Sequence, residues 1–185
     1  AKFKDIEYYL FDENPYIDEP YGPNWKDMQE LFFKAANIPD ERIHIMTSND
    51  WQDYDNKIRN AGGIDVMVIG LGYDGHFCGN CPRCTPFDSY TYCIDFKKKQ
   101  AVNPDYGDRP RQPHTLTMGP KSLMRVKHLV MIVNGKEKAE IFKRFLDEPV
   151  NQDVPATILK LHPNFTVICD QAAASLIDPQ QYSNL

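Results

Sequence analysis

No apolar run in these 185 residues approaches the roughly 20 that a membrane-spanning helix needs, and none is expected to meet a membrane. The first residues, AKFKDIEYYL, lack the charged, apolar and small-residue succession of a signal peptide. Positive charge is scarce too. With 21 Lys and Arg against 26 Asp and Glu, the formal net charge is −5. That balance excludes a nucleic-acid binder that works by neutralising phosphates, and leaves room for one basic pocket around a small phosphorylated ligand. Cysteine is sparse and odd in number, five in all, with three crowded between positions 78 and 84. This is not the even framework of a small secreted protein, so a reducing cytoplasm is the expected compartment. Internal repeats and low-complexity tracts are absent. The length suits a single domain over residues 1–185.

What the chain does have is a stretch, IDVMVIGLGYDGHFCGNCPRC, around which the rest is arranged. Val66-Met67-Val68-Ile69 is short, apolar and rich in β-branched residues, and predicts a strand buried on both faces of a parallel sheet. Gly70, Gly72 and Gly75 follow at once, so the backbone can turn tightly and approach a ligand closely. The turn carries a carboxylate and an imidazole two residues apart, Asp74 and His76. Ligands of open α/β sheets sit at the carboxyl ends of strands, which puts the expected chemistry here.

Upstream, residues 6–11 read as a strand that ends at Asp12 and Glu13, although acidic residues are common in any turn. Asn24 is placed to cap a helix whose apolar face is Trp25, Met28, Leu31, Phe32 and Ala35, ended by Ile38-Pro39. A second helix opens at Asp50 and closes at Gly62-Gly63, leading into the central strand. Residues 82–113 are irregular, with five prolines and the run Lys97-Lys98-Lys99, a solvated face or a cationic contact for an anionic substrate. Pro120 opens a helix, residues 128–133 form another buried strand, and Asn134-Gly135 leads to Lys138 at a helix start. A cation there opposes the helix dipole, a mismatch that a bound phosphate would remove. Asp153 is placed to cap a short helix, and residues 165–169 form a last buried strand with Cys169 as a small core residue. His44, His114 and His128 read as structural or surface residues; His162 has the best claim to a pocket.

The segments IGLGYDGHFCGNCP, LTMGPKSLM, VMIVNGKEKAEIF and LKLHPNFTVICDQAA, in this order, resemble the superfamily of glucosamine-6-phosphate deaminases and isomerases, which includes 6-phosphogluconolactonase. The likeness runs from about residue 10 to 176. It implies a Rossmann-like, three-layer α/β/α sandwich with a mostly parallel sheet. It implies a deaminase that opens the ring of an amino sugar phosphate, moves a proton between C2 and C1 and releases ammonia, with no metal and no organic cofactor. On this resemblance Asp12 shuttles the C2 proton and His76, oriented by Asp74, opens the ring. Lys138 grips the phosphate, and Glu13, Gly72 and Gly75 belong to the substrate site. The residue types suit the steps, since proton abstraction beside a carbonyl needs a placed carboxylate and ring opening needs a group that titrates near neutrality.

Two departures stand out. Where the family carries a glutamate that partners the histidine, this chain has Cys81, and a thiol supplies no such charge unless it ionises. The family also begins with β-α units bearing a phosphate loop that this sequence does not contain, so the chain reads as truncated relative to the family. A sheet edge left uncovered favours association, here a homo-oligomer. Three alternatives stay open. A lactonase would use the histidine to activate water and would need no base at Asp12. A silent homologue would only bind a sugar phosphate. Cys78, Cys81 and Cys84, at C-x2-C-x2-C spacing, could hold a metal and make the chain a stapled binding module.

Overall fold

The aromatic stretch at residues 8–13 changes strand partner midway, and this change lays out the first of two units in the computed structural model, which describes residues 5–96 and 110–182. One unit comprises Ala1–Tyr54 and Thr91–Met118, the other Asp55–Tyr90 and Gly119–Leu185. The lysine run at 97–99 lies outside the described residues.

In the first unit β1 (Tyr8–Tyr9) pairs in parallel with β3 (Ile43–His44), and the Leu10 N–H still donates to the His44 carbonyl at 3.0 Å. One residue later the Phe11 carbonyl accepts the Met118 N–H at 2.8 Å. From there β2 (Asp12–Glu13) runs antiparallel to β6 (His114–Thr117), which is flanked on its other side by β5 (Tyr92–Asp95). Asp12 and Glu13 therefore lie inside a second strand, not beyond the end of the first. The backbone groups of β6 need partners, and this segment supplies them.

Glu13 also changes the start of the first helix. Its carboxylate, 2% exposed, accepts the backbone N–H groups of Asn14 (2.9 Å), Asn24 (3.2 Å) and Trp25 (2.9 Å). The cap thus comes from a strand ten residues upstream, in place of Asn24, and an anion at a helix start is favourable. With Pro23 at the first helical position, α1 (Pro23–Met28) passes through a π-helical segment (Gln29–Phe33) into α2 (Lys34–Ala36). A π turn takes more residues than an α turn and rotates every later side chain. Leu31, expected on the buried face, is 80% exposed, while Phe33 is 1% exposed. Phe33 centres a core with Leu10 and Ile38, against which Tyr8, Trp25, Phe32, Ile43 and Ile45 pack.

The division between units falls after the first residue of α3 (Tyr54–Asn60). Gly62 and Gly63, both at positive φ, then turn the chain into β4 (Val66–Gly70) as expected. β4 pairs in parallel with β7 (His128–Val133), and β7 with β8 (Phe165–Cys169), in the order β4-β7-β8. Besides the rest of α3, the α-helices among the described residues of this unit are α4 (Pro120–Leu123) and α5 (Ala139–Asp147). On one face of the sheet Met67, Ile69, Leu129, Met131 and Val133 are buried, as are Ile141, Phe142 and Phe145 of α5. Phe145 meets Phe165 of β8 edge-on. The opposite face is open: Val66, Val68, Ile132 and Ile168 are 44–56% exposed. The expectation of strands buried on both faces is therefore corrected, because among the described residues of this unit apolar cover reaches one side only. Cys169, at the end of β8, is exposed and not a core residue.

The molecule is thus a mixed α/β fold, with three parallel pairings in two sheets and one antiparallel three-stranded sheet. No helix among the described residues is long and apolar enough to cross a membrane. Because β4, β7 and β8 are parallel, their carboxyl ends share one edge, and the segments leaving that edge build the site.

Candidate active site

Residues 71–76 leave β4 in a turn closed by two backbone hydrogen bonds, Gly72 N–H to the His76 carbonyl (2.8 Å) and Gly75 N–H to the Gly72 carbonyl (3.0 Å). Both glycines are required by shape. A Cβ on Gly72 would overlap the His76 imidazole. Gly75 sits at φ +88° with Val154 Cγ1 only 2.8 Å from where its Cβ would be.

Within this turn Asp74 Oδ1 accepts the His76 backbone N–H (3.0 Å) and lies 2.7 Å from His76 Nδ1. The hydrogen bond from the His76 side chain holds the Asp74 carboxyl below its ordinary value of 3.8, against a smaller opposing effect of burial. Asp74 is therefore ionised at neutral pH and can only accept, so Nδ1 carries the proton. In the neutral ring the lone pair is then on Nε2. With its side chain 44% exposed, His76 is open to a ligand and oriented to exchange a proton with it.

The turn after β7 approaches the same place. Gly135 N–H donates to Asp170 Oδ2 at 3.0 Å, and Asp170 Oδ1 also accepts the Ala173 N–H at 2.7 Å. These backbone bonds, that of Ala173 first, draw the Asp170 pKa below its ordinary value. Lys138 is the N-cap residue of α5, following a 3-10 turn (Lys136–Lys138). Its ammonium donates to the Leu71 carbonyl at 2.6 Å and lies 3.4 Å from the centroid of the Tyr73 ring. Burial lowers the Lys138 pKa, while Glu137 and Asp74 act in the other direction. The structure thus brings Gly72, Asp74, Gly75, His76 and Lys138 to one edge: a ring that can exchange protons and a cation that can meet an anion.

Asp12 and Glu13 belong to the first unit. Asp12 Oδ1 accepts Asn24 Nδ2–H at 2.8 Å, so α1 steadies this carboxylate. The oxygens of Glu13 are taken up by the backbone groups named above, and burial raises its pKa, with those bonds opposing. Glu13 holds the start of α1. Cys81 is joined to Cys84 in a disulfide, their Cα atoms 5.6 Å apart. In this state two of the three sulfurs of the metal set suggested by their spacing are engaged with each other, and no group of three or more metal-binding side chains converges among the described residues. Asp153 caps nothing; its carboxylate pairs with Arg83 at 2.6 Å, and Asn151 Oδ1 takes the N–H groups of Asp153 and Val154. His162 lines a pocket of about 200 Å³ with Phe145, Lys160 and Phe165, but at the amino end of β8, away from His76. It is locked between the Val126 carbonyl and the Asn164 N–H. Asp170 was the residue the sequence hid: its partner Gly135 lies 35 positions away.

Known proteins share sequence and fold with this chain. A curated glucosamine-6-phosphate deaminase of Clostridium acetobutylicum is 34% identical over 181 residues, covering 92% of this chain and 72% of that protein. A solved monomeric glucosamine-6-phosphate deaminase superimposes with a TM-score of 0.78 at 28% identity, covering 95% of this chain and 76% of that one. The 6-phosphogluconolactonase of Trypanosoma brucei, at 18% identity and a TM-score of 0.67 over 92% of this chain and 73% of its own, shares the fold. Across the curated relatives considered, the match spans 64–75% of their length. The model of the family described as glucosamine-6-phosphate isomerases/6-phosphogluconolactonase matches residues 1–168. The chain belongs to that family.

Proposed function

We propose that this chain carries the reaction of a glucosamine-6-phosphate deaminase, converting an amino sugar phosphate to a ketose phosphate and ammonia. The observation that supports it most is the single turn after β4, where a proton-exchanging imidazole and a lysine ammonium meet. On this reading Nε2 of His76 takes the anomeric hydroxyl proton and the ring oxygen is protonated as the sugar opens. Asp74 steadies the imidazolium that forms. Asp12 then carries the C2 proton to C1, water adds to the C2 imine so formed, and ammonia leaves as the C2 carbonyl forms, while Lys138 holds the phosphate. The finer description belongs to the same proposal. It comprises a three-layer Rossmann-like α/β/α sandwich, residues 1–185 acting as one sugar-phosphate domain, a cytoplasmic setting and self-association as a homo-oligomer. No metal or organic cofactor is needed by these steps.

The lactonase reading differs at one residue. Hydrolysis of a lactone moves no carbon-bound proton and needs no base at Asp12. Turnover of glucosamine 6-phosphate in D2O by the protein therefore separates the two. The proposal expects the C2 proton to pass to C1, with deuterium entering C1 to the extent that the Asp12 carboxyl exchanges with solvent, and both proton transfer and ammonia release to be lost in Asp12→Asn. Undiminished ammonia release by Asp12→Asn would defeat the assignment of that residue.

A further inference from the structure

The loop that follows His76 holds a pair of groups that sugar-phosphate chemistry does not use. Cys81 and Cys84 bracket Pro82 and Arg83 and are joined across this four-residue segment, with Cα atoms 5.6 Å apart, within the range that a disulfide spans. Both are half-buried, so a small reagent can reach them. A Cys-x-x-Cys pair exchanges readily, because the second sulfur stands beside any bond that the first one forms.

The bracketed residues also touch what seats the catalytic turn. The Arg83 N–H donates to the Gln152 carbonyl at 2.8 Å, and its Nε donates to Asp153 Oδ1 at 2.6 Å. The next residue, Val154, is the one packed against Gly75, and the Ala156 N–H donates to the Gly75 carbonyl at 3.0 Å. Between His76 and Cys81 the chain is held by Phe77 and Asn80, both fully buried and joined as an antiparallel bridge. A change at residues 81–84 therefore has a short, packed route to the Asp74-Gly75-His76 turn.

We propose that Cys81 and Cys84 are a reversible dithiol–disulfide pair whose state sets how firmly residues 151–156 seat the turn that carries His76. The co-reactant is a low-molecular-weight disulfide such as oxidised glutathione. One thiolate of the pair attacks a glutathione sulfur, forming a mixed disulfide and releasing one glutathione thiolate. The second thiolate attacks the protein sulfur of that mixed disulfide, closing Cys81–Cys84 and releasing the other glutathione. The two cysteines lose two electrons and two protons, and the glutathione disulfide gains them.

The test uses the whole protein in glutathione buffers of graded redox ratio, with acid quenching, alkylation and peptide mass spectrometry. Hydrogen exchange is then measured in the fully reduced and fully oxidised states. Neither readout needs turnover, so the outcome is independent of the deaminase reading. The expected result is a reversible transition in which the 81–84 peptide closes without retained glutathione, while Cys84→Ser traps glutathione on Cys81. In the dithiol the Arg83 and Ala156 amides exchange about tenfold faster, the order expected from opening a four-residue loop. The pair is refuted if both thiols alkylate at every ratio, or if the closed bond maps to Cys78. The coupling is refuted if the two amides exchange equally in both states.

Discussion

Replacing Asp74 with alanine removes the acceptor that fixes the His76 ring, and the size of the effect follows from the geometry. The Nδ1···Oδ1 contact is 2.7 Å, the length of a charge-assisted hydrogen bond, which contributes about 1.5–3 kcal/mol where it is shielded. Here the side chains are 44% and 59% exposed, so water screens the pair and about 1 kcal/mol is the fair figure. At about 1.4 kcal/mol for each factor of ten, kcat for ammonia release should fall roughly fivefold from orientation alone. The ring also loses the group that keeps the proton on Nδ1, so the fall should reach about tenfold or more. Asp74→Asn, whose amide oxygen can still accept from Nδ1, should sit between alanine and the parent. KM should change little, since Asp74 makes no contact assigned to the phosphate. Steady-state ammonia release gives kcat, and nitrogen NMR of the imidazole reports which ring nitrogen is protonated. The reasoning fails if Asp74→Ala folds normally, keeps kcat within about twofold and leaves the ring nitrogens unchanged.

Lys138→Met should raise KM for a sugar phosphate by about 30- to 100-fold with a much smaller change in kcat, as loss of a charge-assisted contact to phosphate predicts; an unchanged KM would remove Lys138 from that role. Phe33→Ala should cost about 3–5 kcal/mol in urea unfolding and Leu31→Ala no more than about 0.5 kcal/mol; the reverse order would refute the phase imposed by the π-helical segment. Asp170 has a folded pKa below its ordinary value, so the stability it adds is present above that ordinary value and is lost as pH falls through the lowered one. The melting temperature of Asp170→Asn should therefore lie below the parent at neutral pH and converge with it in acid, and parallel curves would contradict the two backbone hydrogen bonds assigned to this side chain.

The edge that carries the site was legible because its signals are local. An apolar run broken by Gly70, Gly72 and Gly75 announces a strand and a tight turn, and Asp74 and His76 sit within that turn. Lys138 was legible for the same reason, three residues beyond Gly135. What stayed hidden depends on partners distant in the chain. The Glu13 carboxylate caps a helix that begins ten residues later, and nothing near Asn24 reveals that its own capping position is already served. Asp170 meets Gly135 only because β7 and β8 lie side by side. The open sheet face could not be read from composition either, since Val66, Val68 and Ile132 look the same in sequence whether or not a helix covers them. The helix phase failed at Leu31 because a period of 3.6 was assumed through a π-helical segment. Cys81 was recognised as a departure from the family, but its bond to Cys84 needed the fold of the loop.

The most direct test of the account is turnover of glucosamine 6-phosphate beside 6-phosphogluconolactone on one preparation of the natural protein. The account predicts ammonia and fructose 6-phosphate from the first substrate and no acid from the second. Lactone hydrolysis without ammonia release would contradict it.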